Sequence, residues 1–570
     1  MTDIRIPDAA EREAYEAGLA RAAGERWALR LAERDASLWT TDPAVSEAIV
    51  DRLGWLDAPG HFGVQIPALE AFGDAVREAG FNAAIVAGMG GSSLAPDVLA
   101  RVFGTTPDWL TLRVLDSTDP AAVAATVDDL DPLATLFIVA SKSGTTTEPL
   151  AFQADAWHRI TAALHQRGVR FQSPGDFMVA ITDPGHSLDA IPHHDDLRDR
   201  FLNPSDIGGR YSALTYVGLV PASLIGIDLD PLLQAATAML GACAETDPAR
   251  NPGIALGAAI GSLAVGGRDK LTFVADPAIA AFGAWAEQLI AESTGKHGVG
   301  IVPIDAEPLG PVAAYGADRV FVRIALEGAE PASAEDGTDA DARLAALEAA
   351  GHPVVQLSLA DPMDLGGEFV RWEVATAIAG ILLGIDPFDQ PDVESAKEQT
   401  RQLLAGHGGS GDGDAASIDA ADAGLTEALG RHLAGLRPAG YLAIQAFVAP
   451  SAAADASFAR IRSRIRDATR HATTAGYGPR FLHSTGQLHK GGAPIGTFLQ
   501  LTADHPVDRP IPGWPYTFGQ LIDAQAAGDR RVLVSRGLPV LRVHLGADLD
   551  AGLAALERAV AGATAGSPAG

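Results

Sequence analysis

The chain has 570 residues, 47% of them hydrophobic, which is enough for two to four domains with sizeable cores. With 72 acidic against 42 basic side chains and a formal charge of −30, it repels nucleic-acid backbones and anionic membrane surfaces, so any anionic ligand has to be small and locally cradled. The single cysteine, Cys243, excludes an internal disulfide and a thiolate metal cluster, and with no basic-then-apolar start and no membrane-length apolar run it sets the expectation of a cytoplasmic protein without membrane or nucleic-acid partners.

In chain order, residues 8–55 read as polar helix rich in Glu and Arg. Short apolar strands follow at 81–90, 110–116, 134–141 and 177–183, separated by helical patterns such as 120–130 and 147–168. A second set begins near residue 269 with KLTFVAD, GIVPIDA, RVFVRIAL and HPVVQLSL, interleaved with helices at 342–351 and 366–384. Strands spaced by helices imply parallel sheets covered on both faces. The run 406–421 has a Gly/Ser/Asp linker composition, and 328–341 reads as an acidic surface insertion. Beyond the linker come the apolar runs YLAIQAFV, TFLQLTAD and RRVLVS, a basic helix around 456–470 and an Ala-rich helix at 548–563. The predicted class is α/β, with two successive doubly wound parallel-sheet units and a smaller C-terminal α/β unit. The boundaries are a helical arm at 1–60, a first unit at 61–245, a second at 246–405, the linker at 406–421 and the third unit at 422–570.

Only five of the 42 basic residues are lysine, and Lys142, Lys296, Lys397 and Lys490 lie in short polar segments that read as chemistry. An ammonium is a compact cation whose pKa moves on burial, whereas a guanidinium stays charged. GMGGSS at 88–93 joins a strand to a helix, where glycines allow close backbone approach and the helix N-terminus favours an anion. In SKSGTTTEP, Ser141, Ser143, Thr145, Thr146 and Thr147 exceed what capping needs and suit the oxygens of a phosphate. Lys142 there adds charge to the cradle or pairs with Glu148. In the helix before ESTGK, Gln288 and Glu292 are four apart on one face. Glu292 is a candidate base beside a bound sugar phosphate, the arrangement that aldose–ketose isomerisation needs, or else a partner of Lys296.

Together these segments resemble the phosphoglucose isomerase family of the sugar isomerase superfamily. The resemblance rests on GMGGSSLAP, SKSGTTTEP, GGRYS at 208–212, the WxxQLxxExxGK pattern from Trp285 to Lys296, and IDPFDQPDVESAK at 385–397. It extends to the isomerase part of bifunctional transaldolase/phosphoglucose isomerase proteins, although the 60 or so residues before it are too few for a transaldolase barrel of roughly 250. The resemblance implies two sugar-isomerase units and interconversion of glucose 6-phosphate and fructose 6-phosphate through an enediolate, in glycolysis and gluconeogenesis. It implies a homodimer, no cofactor and no metal. Glu292 would shuttle the proton between carbons 2 and 1, and Arg210 would neutralise the oxyanion. Ser92, Ser141, Ser143 and Thr146 would hold the phosphate, Gln288 and Gln390 would contact the sugar, and Lys397 would open the ring with a histidine.

That histidine departs from the family's chain order. The best copy of its LHSxGQ motif is LHSTGQ at 482–487, which puts His483 forward, with His297 after ESTGK and His489 as rivals. Either the C-terminal unit folds back over the site or another protomer brings the motif in. Two other functions use much of the same equipment: isomerisation of a mannose or aminosugar phosphate, and a non-catalytic sugar-phosphate-binding regulator that would not need Glu292, Arg210 and Lys397 together.

Overall fold

The computed structural model describes residues 2–392, 394–404, 406 and 417–565, and gives the backbone alone at 2 and 394–397. Three five-stranded sheets organise it. The first is parallel throughout, with strands in spatial order Thr111–Leu115, Ala83–Gly88, Thr135–Ala140, Met178–Thr182 and Asp199–Leu202. The chain leaves Ala83–Gly88 in one direction and returns on its other side at Thr135–Ala140. The winding therefore reverses between these two strands, and a crevice opens beyond their carboxyl ends.

The second sheet repeats the pattern with Val354–Leu359, Arg319–Leu326, Lys270–Ala275 and Val302–Ile304 in parallel. The chain's first residues add an edge: Thr2–Arg5 pairs antiparallel with Val354–Leu359, so the segment expected to be a helical arm begins as a strand of this sheet. The expected helix 8–55 is broken into Ala9–Gly24, Trp27–Ala32 and Pro43–Val50. Left-handed Arg26 and the Asp42 cap ahead of Pro43 impose the breaks.

The third sheet, again parallel, runs Ser417–Asp419, Val540–His544, Gly496–Thr502, Tyr441–Phe447 and Ala472–Tyr477. Its edge strand Ser417–Asp419 falls within the expected linker, of which 407–416 lie outside the described residues. RRVLVS is the end of helix Phe518–Ser535, because the Thr517/Gln520 capping box starts a helix whose buried Phe518, Leu521, Ile522, Leu533 repeat at helical spacing. The acidic stretch 328–341 is more than surface: Ala334 and Ala340 are buried and Glu335 accepts from Arg466 Nη2 at 2.6 Å.

One apolar core runs through the first two sheets and takes in Ile511, Phe518 and Leu521 of the third segment, while the third sheet has its own core around Leu442, Ile444, Leu499 and Val543. Charged contacts fix the third segment on the first sheet: Arg480 grips Asp116 with two hydrogen bonds (2.6 and 3.0 Å) and Arg509 grips Asp155 (3.0 and 3.2 Å). Among the described residues no helix is long and apolar enough to cross a membrane.

Candidate active site

At the winding reversal of the first sheet, the loops after Gly88 and Ala140 wall a cavity of about 750 Å³. Helices Gly91–Phe103 and Thr147–Gln166 both start there, and neither has a side-chain cap, so two positive dipole ends face the cavity and favour an anion. Ser92, Ser141, Ser143 and Thr146 all line the cavity. The Ser141 hydroxyl donates to Thr146 Oγ1 at 3.0 Å, and Ser143 and Thr145 share a bond of 2.9 Å. Lys142 does not reach Glu148. Its ammonium is held by the Asp183 carboxylate and by the Ser205 carbonyl, which leaves the hydroxyls and helix ends as the anion donors.

The glycines of GMGGSS serve approach. Gly90 has a positive φ of 55°, and a Cβ there would strike the His483 carbonyl and the Gln288 amide. A Cβ on Gly91 would strike the Gly209 carbonyl. Their bareness lets GGRYS and the third segment close onto the cradle.

Across the cavity, helix Phe282–Thr294 presents Gln288 and Glu292 one turn apart, both buried. Glu292 Oε1 lies 3.3 Å from Arg210 Nη1, and its Oε2 accepts from Gln288 Nε2 at 3.0 Å. Gln288 also donates to the His483 carbonyl at 2.8 Å, while its own Oε1 is buried without a hydrogen-bond partner. Arg210, 2% exposed, spends its guanidinium on Ser293 Oγ (2.7 Å), Gln390 Oε1 (2.8 Å) and the carbonyls of Pro387 (2.7 Å) and Asp389 (3.0 Å). Lys296 pairs with Asp389 (2.6 Å), not with Glu292. Burial, with Arg210 nearby, pushes its pKa down to about 8 against the pull of Asp389.

The third segment of the same chain folds over the opening with Leu482, His483, Tyr516, Leu521 and Gln525. His483 Nε2 lies 3.2 Å from Glu148 Oε1. Its rivals lie elsewhere. His297 is exposed, at φ 55°, and outside the cavity wall. His489 is buried among Tyr441, Phe481 and Phe498, and burial pushes its pKa down to about 3. Lys490 pairs with buried Asp529 at 2.6 Å. The side chain of Lys397, on helix Glu394–Leu404, lies outside the described residues. Sequence reasoning missed Glu148 as the partner of His483, and Gln525 altogether. Glu148 stood in a motif already singled out, while Gln525 sits in an amphipathic helix with no motif around it.

This geometry defines an α/β protein with hydroxyls and two helix N-termini at one wall of a crevice and a buried carboxylate with a guanidinium at the other. Residues 66–305 match the family model of phosphoglucose isomerase. The chain is 31% identical over 401 residues to a glucose-6-phosphate isomerase of Symbiobacterium thermophilum, covering 62% of this chain and 86% of the relative. To that of Rubrobacter xylanophilus it is 30% identical over 377 residues, covering 57% and 83%. A crystal structure of a hypothetical protein from Thermus thermophilus shares the fold, with a TM-score of 0.58 at 24% identity over 71% of this chain and 100% of that one. The chain belongs to the phosphoglucose isomerase family.

Proposed function

We propose that this chain interconverts glucose 6-phosphate and fructose 6-phosphate, with Glu292 as the proton shuttle. The phosphate rests on Ser92, Ser141, Ser143, Thr146 and the two helix ends, which sets the sugar chain across the cavity toward Glu292. The carboxylate takes the proton from carbon 2 of the open aldose, the C–H pair becomes the C1–C2 double bond, and the carbonyl oxygen on carbon 1 gains the charge. Arg210 stabilises that enediolate. The carboxylic acid then returns the proton to carbon 1 while the hydroxyl proton passes from O2 to O1, leaving the ketose. Gln288 and Gln390 orient the hydroxyls. His483, with Lys397, exchanges the proton between the ring oxygen and the anomeric hydroxyl that opens the cyclic sugar. No cofactor takes part in these steps.

The observation that carries this reading is the buried Glu292–Arg210 pair, 3.3 Å apart, facing the hydroxyl-lined cradle across one cavity. The test is a coupled assay of wild type and Glu292→Gln with glucose, mannose and glucosamine 6-phosphates. Loss of at least ~10³-fold in kcat on glucose 6-phosphate is expected, whereas near-normal turnover by the mutant removes Glu292 from the reaction. A wild type that prefers mannose or glucosamine 6-phosphate changes the substrate. We place the enzyme in the cytoplasm, as a homodimer active in glycolysis and gluconeogenesis. Analytical ultracentrifugation decides its assembly.

A further inference from the structure

We infer that Gln525 is a positioning residue, fixing the Glu148 carboxylate against His483. The inference rests on the reading of His483 as the ring-opening imidazole. Gln525 stands on helix Phe518–Ser535 and is buried. Its Nε2 donates to Glu148 Oε1 at 2.6 Å, and its Oε1 accepts the Thr118 hydroxyl at 2.7 Å. An ionised carboxylate only accepts, so the amide must turn its nitrogen to Glu148 and its oxygen to Thr118. The orientation of the amide is thereby decided by the chemistry of its two neighbours.

The same carboxylate oxygen, Glu148 Oε1, faces both Gln525 Nε2 and His483 Nε2. With Nε2 donating to Glu148, the imidazole's other nitrogen is the one free to exchange a proton with a ligand. Glu148 is buried in the first turn of helix Thr147–Gln166, next to the phosphate cradle. The Gln525 amide holds its Oε1 on the side that faces the imidazole. Docking of the third segment does not need this amide, because Arg480 on Asp116 and Arg509 on Asp155 already anchor it to the same sheet. A polar side chain buried between two polar partners, where charged anchors already secure the docking, points to the aim of the carboxylate as its role.

The test uses the full-length enzyme with Gln525→Met, which keeps the volume and loses both bonds, and Thr118→Val, which leaves the amide without its far anchor. Each is measured for kcat, KM and the kinetic isotope effect of glucose 6-phosphate deuterated at carbon 2, alone and combined with His483→Ala. For Gln525→Met we expect kcat to fall about 10-fold with KM little changed, the scale of losing one supporting hydrogen bond to an acid–base histidine. The isotope effect should move toward unity as ring opening comes to limit turnover. Thr118→Val should follow in the same direction by a smaller factor, and neither substitution should lower kcat further once His483 is alanine. An equal loss in both backgrounds overturns the inference, as does a rise in KM alone, which would make Gln525 a direct substrate contact. If Gln525→Met fails to fold, the same outcomes are read from Thr118→Val. Wild-type turnover by His483→Ala would instead refute the reading of the histidine itself, and this inference with it.

Discussion

Replacing Arg210 by lysine keeps the charge and removes the geometry. The guanidinium makes four hydrogen bonds between 2.7 and 3.0 Å and stands 3.3 Å from Glu292. An ammonium has three donors on a point charge and cannot span Ser293, Gln390 and the carbonyls of Pro387 and Asp389 at once. At least one of those acceptors is left unpaired in a buried site, at about 1.5–3 kcal/mol for a bond to a charged donor. The share that bears on rate is the oxyanion contact, worth ~3–4 kcal/mol for one such donor, or about 10²–10³-fold. A coupled spectrophotometric assay of glucose 6-phosphate formation from fructose 6-phosphate should therefore show kcat/KM down by that factor, most of it in kcat. Gln390, which accepts from the same guanidinium, should add a smaller increase in KM. A mutant within about threefold of wild type, ~0.6 kcal/mol, with an unchanged melting temperature, would refute the role of the fork.

Two further outcomes follow from the same site. Lys296, depressed to about 8, holds Asp389 and with it the loop that presents Gln390. Below about pH 8 both folded and unfolded chains carry its proton. Between about 8 and about 10.4 the folded chain has released it and the unfolded chain has not, so this group alone stabilises the fold as pH rises. The ion pair is lost over the same range, so kcat/KM should decline above pH 8 in wild type and lose that limb in Lys296→Met; an unaltered limb in the mutant would assign it elsewhere. Gly91→Ala drives a Cβ into the Gly209 carbonyl and should lower kcat/KM ~10–100-fold by shifting GGRYS, with ~1–3 kcal/mol lost in stability; unchanged turnover would mean the loop yields without consequence.

Much of this was legible because the informative residues are local. Apolar runs such as 134–141 locate the strand Thr135–Ala140 to within a residue at each end, and the hydroxyls after it are forced to the crevice by the topology. The strand Val540–His544 escaped because Arg542 interrupts it, a buried guanidinium whose bonds to Gln500 (2.7 Å) and the Ala526 carbonyl (3.0 Å) no hydropathy pattern reveals. Ala472–Tyr477 escaped for a related reason: Thr473 is buried because its N–H and hydroxyl serve Glu307 at 2.9 and 2.7 Å. Partners of charged groups were the least legible. Lys142 with Asp183 and Lys296 with Asp389 are separated by 41 and 93 residues, whereas spacing alone offers only the neighbours Glu148 and Glu292.

The fold by itself offers more than one place for a ligand, and side chains decide which is used. The second sheet reverses its winding between Lys270–Ala275 and Arg319–Leu326, as the first does between its own central strands. At the carboxyl end of that pair stands Asp276, 2% exposed. Its carboxylate accepts the backbone N–H groups of Leu326 and Ala332, each at 2.8 Å, and pairs with Arg323 at 2.6 Å. An anion bound at such a reversal would seek the same donors: two N–H groups and a cation. The protein's own carboxylate takes them, while in the first sheet the loops after the corresponding strands carry Gly90 and Ser141 and line the cavity. An acidic side chain thus occupies the anion position at the second reversal, and the chemistry proposed for Glu292 and His483 lies at the first, where Gly90 and Ser141 stand instead.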